Sequence, residues 1–221
     1  MSKIQKRETH PLYYVALGDS LTVGVGVPIF TRAFVDQYLE LSEQALNHNI
    51  YLTIFAKVEA TTEEILQWLS LPEVAVKVSH SDIITLTAGA NDLIHAAEAF
   101  LITKSTKDFN DALNKSIKNI ARIIDKIHAL NPLQKYTYLI RLLNLYNPFP
   151  DIPEADSWIQ NFNARLKMFS KIPHIGVADI YHPFAGRQKE LLSIDNVHPN
   201  AMGYKVMAES TYQLGYDHFL Q

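Results

Sequence analysis

Short apolar runs recur along the chain, and residues that favour turns bound each run. The first run, residues 13–17, combines aromatic and β-branched side chains and stops abruptly at Gly18-Asp19-Ser20. A continuous apolar run of this kind favours a strand that is covered on both faces of a sheet. Similar runs predict further strands at residues 50–55, 83–88, 136–143 and 175–179. Arg141 is unusual inside the fourth run, and it predicts either a polar partner or a position near the strand end.

Amphipathic stretches separate these runs and predict helices, because their apolar residues recur every three or four positions. One such face carries Leu113, Ile117, Ile120, Ile124 and Ile127. Thr61 and Glu64 have the spacing of a capping box, which predicts that a helix begins there. Residues 144–153, which are rich in Pro and Asn, and residues 181–193 show neither period, so we expect loops.

The alternation of strands with helices predicts an α/β protein, a three-layer α/β/α sandwich around a five-stranded parallel sheet. Right-handed crossovers place every strand-to-helix turn at one edge of such a sheet. Ser20, Glu59 and Asn91 fall in the turns that follow the first, second and third predicted strands. We therefore expect these three residues near one another, at the edge where open α/β sheets bind ligands.

The composition is that of an ordinary globular protein, with 48% hydrophobic and 19% charged residues among 221. We predict one domain over residues 13–221 and a flexible N-terminal arm over residues 1–12. A formal net charge of −3, with Lys and Arg scattered among acids, argues against a nucleic-acid partner. The chain has no cysteine, which excludes disulfides, thiolate chemistry and Cys-ligated zinc.

The N-terminal residues carry positive charges but not the apolar segment that a secretory signal contains. Charged residues, Asn or Pro interrupt every apolar run before it reaches the length of a membrane span. We therefore expect a cytoplasmic protein without an integral membrane segment. The oligomeric state is not indicated by the sequence.

Polar groups at the predicted turns form a candidate site for acyl transfer. This chemistry requires a nucleophile, a base, a group that orients the base, and donors for the oxyanion of the tetrahedral intermediate. Ser20 is the candidate nucleophile and His198 the candidate base, and Asp195 is close enough in sequence to orient the imidazole. Asn91 offers its side-chain amide to the oxyanion, beside the backbone N–H groups of Ser20 and of the second turn.

Each of these residues also has a simpler interpretation. The Gly-Asp-Ser triplet is a common turn sequence, and we expect Asp19 to bond the loop backbone rather than to react. Asp195 and His198 alone would suit a helix entry, and Asn91 suits a helix cap. Their occurrence together at the predicted strand ends favours the catalytic interpretation. The remaining histidines lack the spacing of metal ligands, so we expect no metal and no cofactor.

The motifs resemble those of the SGNH subgroup of the GDSL esterase and lipase family. Residues 18–22 (Gly-Asp-Ser-Leu-Thr), 89–92 (Gly-Ala-Asn-Asp) and 195–200 (Asp-Asn-Val-His-Pro-Asn) are similar to its first, third and last blocks, in that order. The resemblance spans nearly the whole chain from Tyr13. It implies a flavodoxin-like sheet, metal-independent ester hydrolysis and a shallow, adaptable active site.

One block departs from the family pattern at Glu59. Members of the family usually have a glycine in the turn after the second strand, where a backbone N–H contributes to the oxyanion hole. Aligning on Thr61-Thr62 places Glu59 at that position. The backbone N–H is retained, but a carboxylate beside the hole would oppose the oxyanion unless it points to solvent. We expect Glu59 to keep the donor role and to disfavour anionic substrates.

These observations predict a serine hydrolase of small-molecule or lipid carboxylic esters that acts through an acyl-enzyme on Ser20. Apolar residues that follow Ser20, among them Ile29 and Phe30, and the loop 146–149 are compatible with acyl-chain contacts or with core packing. A carbohydrate deacetylase or a thioesterase on the same triad is an alternative. A catalytically silent ligand-binding module with an oxyanion hole spoiled by Glu59 is another.

Overall fold

A computed structural model describes residues 11–131 and 138–216 as strands and helices in alternation. The strands are β1 (Leu12–Gly18), β2 (Ile50–Ala56), β3 (Ile83–Thr87), β4 (Leu139–Leu143) and β5 (Ile175–Ala178). The helices are α1 (Ser20–Val23), α2 (Phe34–Leu46), α3 (Thr62–Trp68), α4 (Pro72–Ser79), α5 (Ala90–Thr103), α6 (Thr106–Leu130), α7 (Pro153–Leu166), α8 (Tyr181–Phe184), α9 (Gln188–Leu191) and α10 (Ala201–Tyr212). A 3₁₀ turn, Lys167–Lys171, follows α7.

The five strands form one parallel sheet in the order β2-β1-β3-β4-β5. This is the flavodoxin-like order, in which the chain changes direction across the sheet between β1 and β3. Gly18, the last residue of β1, lies opposite Ala56 of β2 and Thr87 of β3. The three strands therefore end level with one another, and their following turns meet at the crevice between β1 and β3.

Side chains of β1 alternate between two separate cores, as the pleat of a strand requires. Val15 and Leu17 pack in the core beneath α3, α5 and α6, whereas Tyr14 and Ala16 pack in the core beneath α2 and α10. Helices thus cover both faces of the sheet. The predicted three-layer α/β/α sandwich is confirmed.

The structure differs from the sequence expectation mainly at element ends. Leu12 was placed in the N-terminal arm, but it pairs with Ile50 and begins β1, while residues 1–10 lie outside the described residues. The fourth strand is described from Leu139, where its pairing with Ile83 of β3 starts, whereas the sequence predicts it from Tyr136. Residues 136–137 are also outside the described residues. The single domain over residues 13–221 stays a prediction.

The segment 181–193 is not wholly irregular, since it contains the short helices α8 and α9. Four-residue helices show too little periodicity to be recognised in a sequence. The capping box that opens α3 is confirmed: Thr61 Oγ1 accepts from Glu64 N at 3.3 Å, and Glu64 Oε2 accepts from Thr61 N at 3.0 Å. Within the described ranges, no helix combines the length and the apolar character that crossing a bilayer requires.

Arg141 lies in the middle of β4, between Thr85 of β3 and Gly176 of β5, and is only 4% exposed. Its Nη2 donates to the carbonyl oxygen of Gly215 at 2.6 Å. Burial lowers the pKa of Arg141, and the neighbouring Tyr38 opposes that shift. The predicted polar partner is therefore present, and it lies in the segment that follows α10.

Candidate active site

Ser20 lies directly beyond the carboxyl end of β1, as the first residue of α1. The turn before it is held by Asp19, whose Oδ1 accepts from Leu21 N at 3.0 Å and from Thr87 Oγ1 at 2.8 Å. Asp19 is 1% exposed, so burial raises the pKa of its carboxyl, while the bonds from Thr87 and Leu21 lower it. The expectation that Asp19 bonds the loop backbone is confirmed, and Ser20 beside it is 9% exposed.

The structure brings Ser20, His198 and Asp195 together in one hydrogen-bonded chain, although 178 positions separate Ser20 from His198. His198 Nε2 lies 2.9 Å from Ser20 Oγ. His198 Nδ1 lies 2.7 Å from Asp195 Oδ2. When Nδ1 carries the proton and donates to the carboxylate, Nε2 is the acceptor that faces the serine hydroxyl.

Asp195 receives further hydrogen bonds from its own loop. Its Oδ1 accepts from Val197 N and His198 N, each at 2.9 Å, and from Ser193 Oγ at 2.7 Å. Burial alone would raise the pKa of Asp195, but these bonds and the one from His198 hold it well below its usual range. Asp195 therefore stays ionised at neutral pH and fixes the orientation of the imidazole.

The loop that carries Asp195 and His198 is closed and supported from beneath. Ser193 N donates to His198 O at 2.8 Å, and Tyr146 OH donates to Val197 O at 2.7 Å. Gly26, in the segment after α1, lies against the other side of the loop with φ +103°. A Cβ at Gly26 would lie 2.5 Å from Pro199 O and 3.0 Å from His198 Cβ. Only glycine allows this approach, so the two segments that flank the serine are packed against each other.

Asn91 is the second residue of α5, the helix that follows β3, and its side chain reaches the turn after β2. Its Nδ2 donates to Ala60 O at 2.9 Å. Because β1 lies between β2 and β3, this bond spans the end of the strand that carries Ser20. An amide nitrogen has two N–H groups, so the second remains for another acceptor. The next residue, Asp92, ties the same two turns together by accepting from Thr62 N at 2.9 Å and Thr62 Oγ1 at 2.6 Å.

Glu59 occupies the third position of a turn that is closed by Ala60 N donating to Lys57 O at 3.1 Å. Its φ is +63°, in the left-handed region that favours glycine. This backbone conformation is a physical reason for glycine to be usual at this position. The residue is exposed, so its carboxylate is solvated rather than buried against the turn.

Several residues of the site were not identified from the sequence. Ser193 donates to Asp195, and Thr87 donates to Asp19. Tyr146 supports the loop that carries Asp195 and His198, and Asp92 supports the turn that carries Asn91. Thr87 had a detectable signal, because it is a polar residue at the last position of β3, next to the turn that carries Asn91. The others act on residues far away in sequence or in irregular loops, where spacing carries no information.

Of the candidate acyl-contact residues, Leu21 is 6% exposed and belongs to the core beneath α2 and α10. Tyr146 is buried in the same core, whereas Ile29 and Phe30 are almost completely exposed. Over the described ranges, no three His, Asp or Glu side chains are placed to hold a metal ion.

Comparisons with known proteins point to one family. The sequence model of the GDSL-like lipase/acylhydrolase family matches residues 16–206. The chain is 44% identical to the spore germination lipase LipC of Bacillus licheniformis over 205 residues, which cover 93% of this chain and 97% of that protein.

Solved structures give the same result. The lipase Lip_vut3 from a goat rumen metagenome is 44% identical, with a TM-score of 0.89 over 93% of this chain and 98% of that one. Axe2, an acetylxylan esterase from Geobacillus stearothermophilus, matches at a TM-score of 0.69 and 15% identity. The match covers 91% of this chain and 93% of Axe2, and at that identity it shows a shared fold.

Proposed function

Because the chain belongs to the GDSL-like lipase/acylhydrolase family and hydrolyses carboxylic esters, we propose that Ser20, His198 and Asp195 are its catalytic triad. The observation that carries the proposal is the continuous contact from Asp195 Oδ2 through the imidazole to Ser20 Oγ, at 2.7 and 2.9 Å. Both distances lie within hydrogen-bond reach for proton transfer. The alternative of a catalytically silent module has no support from this geometry.

In the acylation step, His198 Nε2 accepts the proton of Ser20 while Oγ attacks the carbonyl carbon of the ester. The carbonyl π bond opens and its electron pair becomes the oxyanion of a tetrahedral intermediate. The oxyanion electron pair then re-forms the carbonyl, and the bond from the acyl carbon to the alcohol oxygen breaks. His198, now an imidazolium, donates its proton to that oxygen, so the alcohol leaves and the acyl group stays on Ser20. Asp195 stabilises the imidazolium through Nδ1, which is why its ionised state matters.

Three donors hold the oxyanion in this mechanism: the N–H of Ser20, the N–H of Glu59 and the side-chain amide of Asn91. The bond between Asn91 and Ala60 supports this assignment, because it places the amide over the end of β1. The Ala60 N–H bonds within its own turn, which favours Glu59 over Ala60 as the donor of that turn. A single donor of this kind typically contributes about 3 kcal/mol to the barrier reduction.

Deacylation repeats these steps with water in place of the alcohol. His198 takes a proton from water, the hydroxide oxygen attacks the acyl carbon, and the oxyanion forms at the same donors. When the intermediate collapses, the C–O bond to Ser20 breaks and His198 returns the proton to Oγ. The acid leaves and the free enzyme is restored.

We propose lipid esters as the substrate class. Two proteins that are 44% identical to this chain over nearly their whole length are described as lipases. Deacetylation of carbohydrates is the alternative within the same chemistry. It has weaker support, because the acetylxylan esterase Axe2 shares the fold of this chain at only 15% identity. Relative rates on acetyl esters, long-acyl esters and thioesters separate these possibilities and the thioesterase alternative.

The test is hydrolysis of p-nitrophenyl esters from acetyl to long acyl chains by the wild type and by Ser20→Ala. We expect the substitution to lower kcat on the order of 10⁴–10⁶-fold without changing the unfolding temperature appreciably. Ser79→Ala is the matched control, since the bonds of Ser79 within the described part of the chain go to its own helix and to neighbouring His80. Retained turnover in Ser20→Ala would exclude the assignment. A fluorophosphonate should add one adduct mass to the wild type and none to Ser20→Ala.

A further inference from the structure

Two turns near the candidate active site carry fully exposed apolar side chains. The first is closed by Thr31 N donating to Pro28 O at 2.8 Å. Its central residues are Ile29 and Phe30, which are 95% and 100% exposed. Central turn positions normally carry Gly, Pro, Asn, Asp or Ser. Two large apolar residues there contribute nothing to the packing of this chain.

The second turn lies in the loop that carries the base. Asn196 N donates to Ser193 O at 3.0 Å, and Ile194 at its second position is fully exposed. Asp195, the next residue, uses its carboxylate to bond His198. Ile194 therefore projects from the same short loop that positions the imidazole.

Both turns belong to segments that contact residues of the candidate site. Gly24 N and Val25 N donate to Ser20 O at 3.0 Å each, so the segment that leads to Ile29 starts at the serine. Gly26 of that segment packs against His198, and a Cβ there would lie 3.3 Å from Ser193 Oγ. The segments that carry the two exposed tips are thus in direct contact with each other, and both adjoin residues of the candidate site.

These tips are too few to form a stable protein interface. A specific interface buries about 800 Å² on each partner and involves roughly 20–30 residues a side. Three apolar side chains on two turns suit insertion into a hydrocarbon surface, which demands no detailed shape match. The proposed substrate class favours the same occupant, because an enzyme that hydrolyses lipid esters must reach them where the lipids are assembled.

We propose that Ile29, Phe30 and Ile194 dock the enzyme onto a lipid surface, on segments that adjoin Ser20 and His198. The inference deepens the proposed function and rests on it. Docking by apolar tips holds the enzyme at the interface, so it raises turnover of assembled lipid esters and leaves monomeric dissolved esters unaffected. Because the contact is apolar, we expect binding to uncharged vesicles that moderate salt does not weaken.

The experiment measures sedimentation with phosphatidylcholine vesicles, using Ser20→Ala proteins so that no turnover alters the lipid. We expect Ile29→Ser/Phe30→Ser to lower the vesicle partition coefficient at least tenfold and Ile194→Ser to lower it several-fold. With Ser20 intact, Ile29→Ser/Phe30→Ser should hydrolyse dissolved p-nitrophenyl acetate within twofold of the wild-type rate. The same variant should lose most of its rate on a long-chain ester embedded in the vesicles.

Val76→Ser/Met168→Ser is the matched control, because these exposed apolar residues precede the amino ends of β3 and β5. The control should bind vesicles like the wild type, and an equal loss in it would overturn the proposal. So would a wild type that does not bind vesicles, or wild-type binding by Ile29→Ser/Phe30→Ser. A wild-type dimer that this variant dissociates would identify a second copy as the occupant instead. Turnover of p-nitrophenyl acetate by Ser20→Ala would contradict the proposed triad while leaving the binding result intact.

Discussion

Asn91 Nδ2 lies 2.9 Å from the carbonyl oxygen of Ala60, so one amide fixes the turn after β3 to the turn after β2. Asp92 makes a second connection between the same turns through Thr62. Donors that are held by the fold before substrate arrives need no reorganisation when charge develops on the oxyanion. In the proposed mechanism, the bond to Ala60 therefore holds the Asn91 amide in place for the oxyanion before substrate binds.

We predict that Asn91→Ala lowers kcat about 10²–10³-fold, because it removes a donor that acts mainly in the transition state. KM should change little, since the ground-state carbonyl carries little charge. Steady-state kinetics on p-nitrophenyl acetate, with circular dichroism to confirm folding, measure both quantities.

Asn119→Ala separates catalysis from structural support. Asn119 is buried and donates to Thr62 Oγ1 at 3.1 Å, so it supports the same turn without facing the reaction. We expect this variant to lower the unfolding temperature while kcat falls far less than in Asn91→Ala. Equal kcat losses in the two variants would mean that Asn91 acts only as a structural residue.

A second prediction concerns Asp195. Asp195→Asn should lower kcat on the order of 10³–10⁴-fold, because the amide favours the wrong imidazole tautomer and no longer stabilises the imidazolium. If Asp195→Asn regained the wild-type kcat at any accessible pH, the proposed role of Asp195 would be contradicted. The acid limb of the wild-type profile should not report Asp195, since the pKa of this carboxyl is held well below its usual range.

The lowered pKa of Asp195 also makes the folding stability depend on pH. A carboxyl whose pKa is lower in the folded than in the unfolded chain binds fewer protons when folded. It therefore adds stability above the unfolded value of about 3.9, and this stability is lost as the pH falls through the folded pKa. The difference in unfolding free energy between wild type and Asp195→Asn should thus shrink between pH 5 and pH 3, as urea denaturation would measure.

Asp19 behaves in the opposite way, which gives a third prediction. Burial raises the pKa of its carboxyl, so the folded chain binds more protons than the unfolded chain as the pH rises past the unfolded pKa. The contribution of Asp19 to stability is present at low pH and is lost as the pH rises through the folded pKa. Asp19→Asn keeps an acceptor for Leu21 N and Thr87 Oγ1, so its stability relative to wild type should increase from pH 4 to pH 7.

That gain should be accompanied by a kinetic cost. His198 lowers the pKa of Asp19 by charge attraction, so the Asp19 carboxylate also stabilises the imidazolium that forms during acylation. We expect Asp19→Asn to lower kcat only a few-fold, because the attraction to His198 is the smallest of the influences on the Asp19 pKa. Unchanged kcat would show that Asp19 serves only to hold the turn.

The sequence was sufficient to predict the sheet and the residues of the candidate triad for a physical reason. Strand ends are marked by abrupt changes from apolar to turn residues, and Asp195 and His198 are neighbours in one short loop. The contact of Asn91 with Ala60 was not predictable, because it joins positions 31 residues apart whose spacing carries no period. The helices α8 and α9 were missed for a similar reason, as four residues complete little more than one turn.

The left-handed backbone conformation of Glu59 was also not predicted from the sequence, and it leads to the last prediction. A side chain at φ +63° costs about 1–2 kcal/mol relative to ordinary backbone, whereas glycine adopts this region freely. Replacing Glu59 by glycine removes this cost, but the greater entropy of glycine in the unfolded chain offsets part of the gain in stability. We expect Glu59→Gly to raise the unfolding temperature by roughly 1–4 °C, as differential scanning calorimetry would measure.

Glu59→Gln keeps the strained backbone and removes only the charge, so the pair of variants separates the two effects. Glu59→Gln should leave the unfolding temperature near that of wild type. It should raise kcat/KM for a p-nitrophenyl ester that carries a second, free carboxylate by roughly two- to fivefold relative to a neutral ester. High salt should abolish this difference, because the carboxylate is exposed and its field is screened. If the anionic and neutral esters respond equally in both variants, Glu59 has no part in substrate selection.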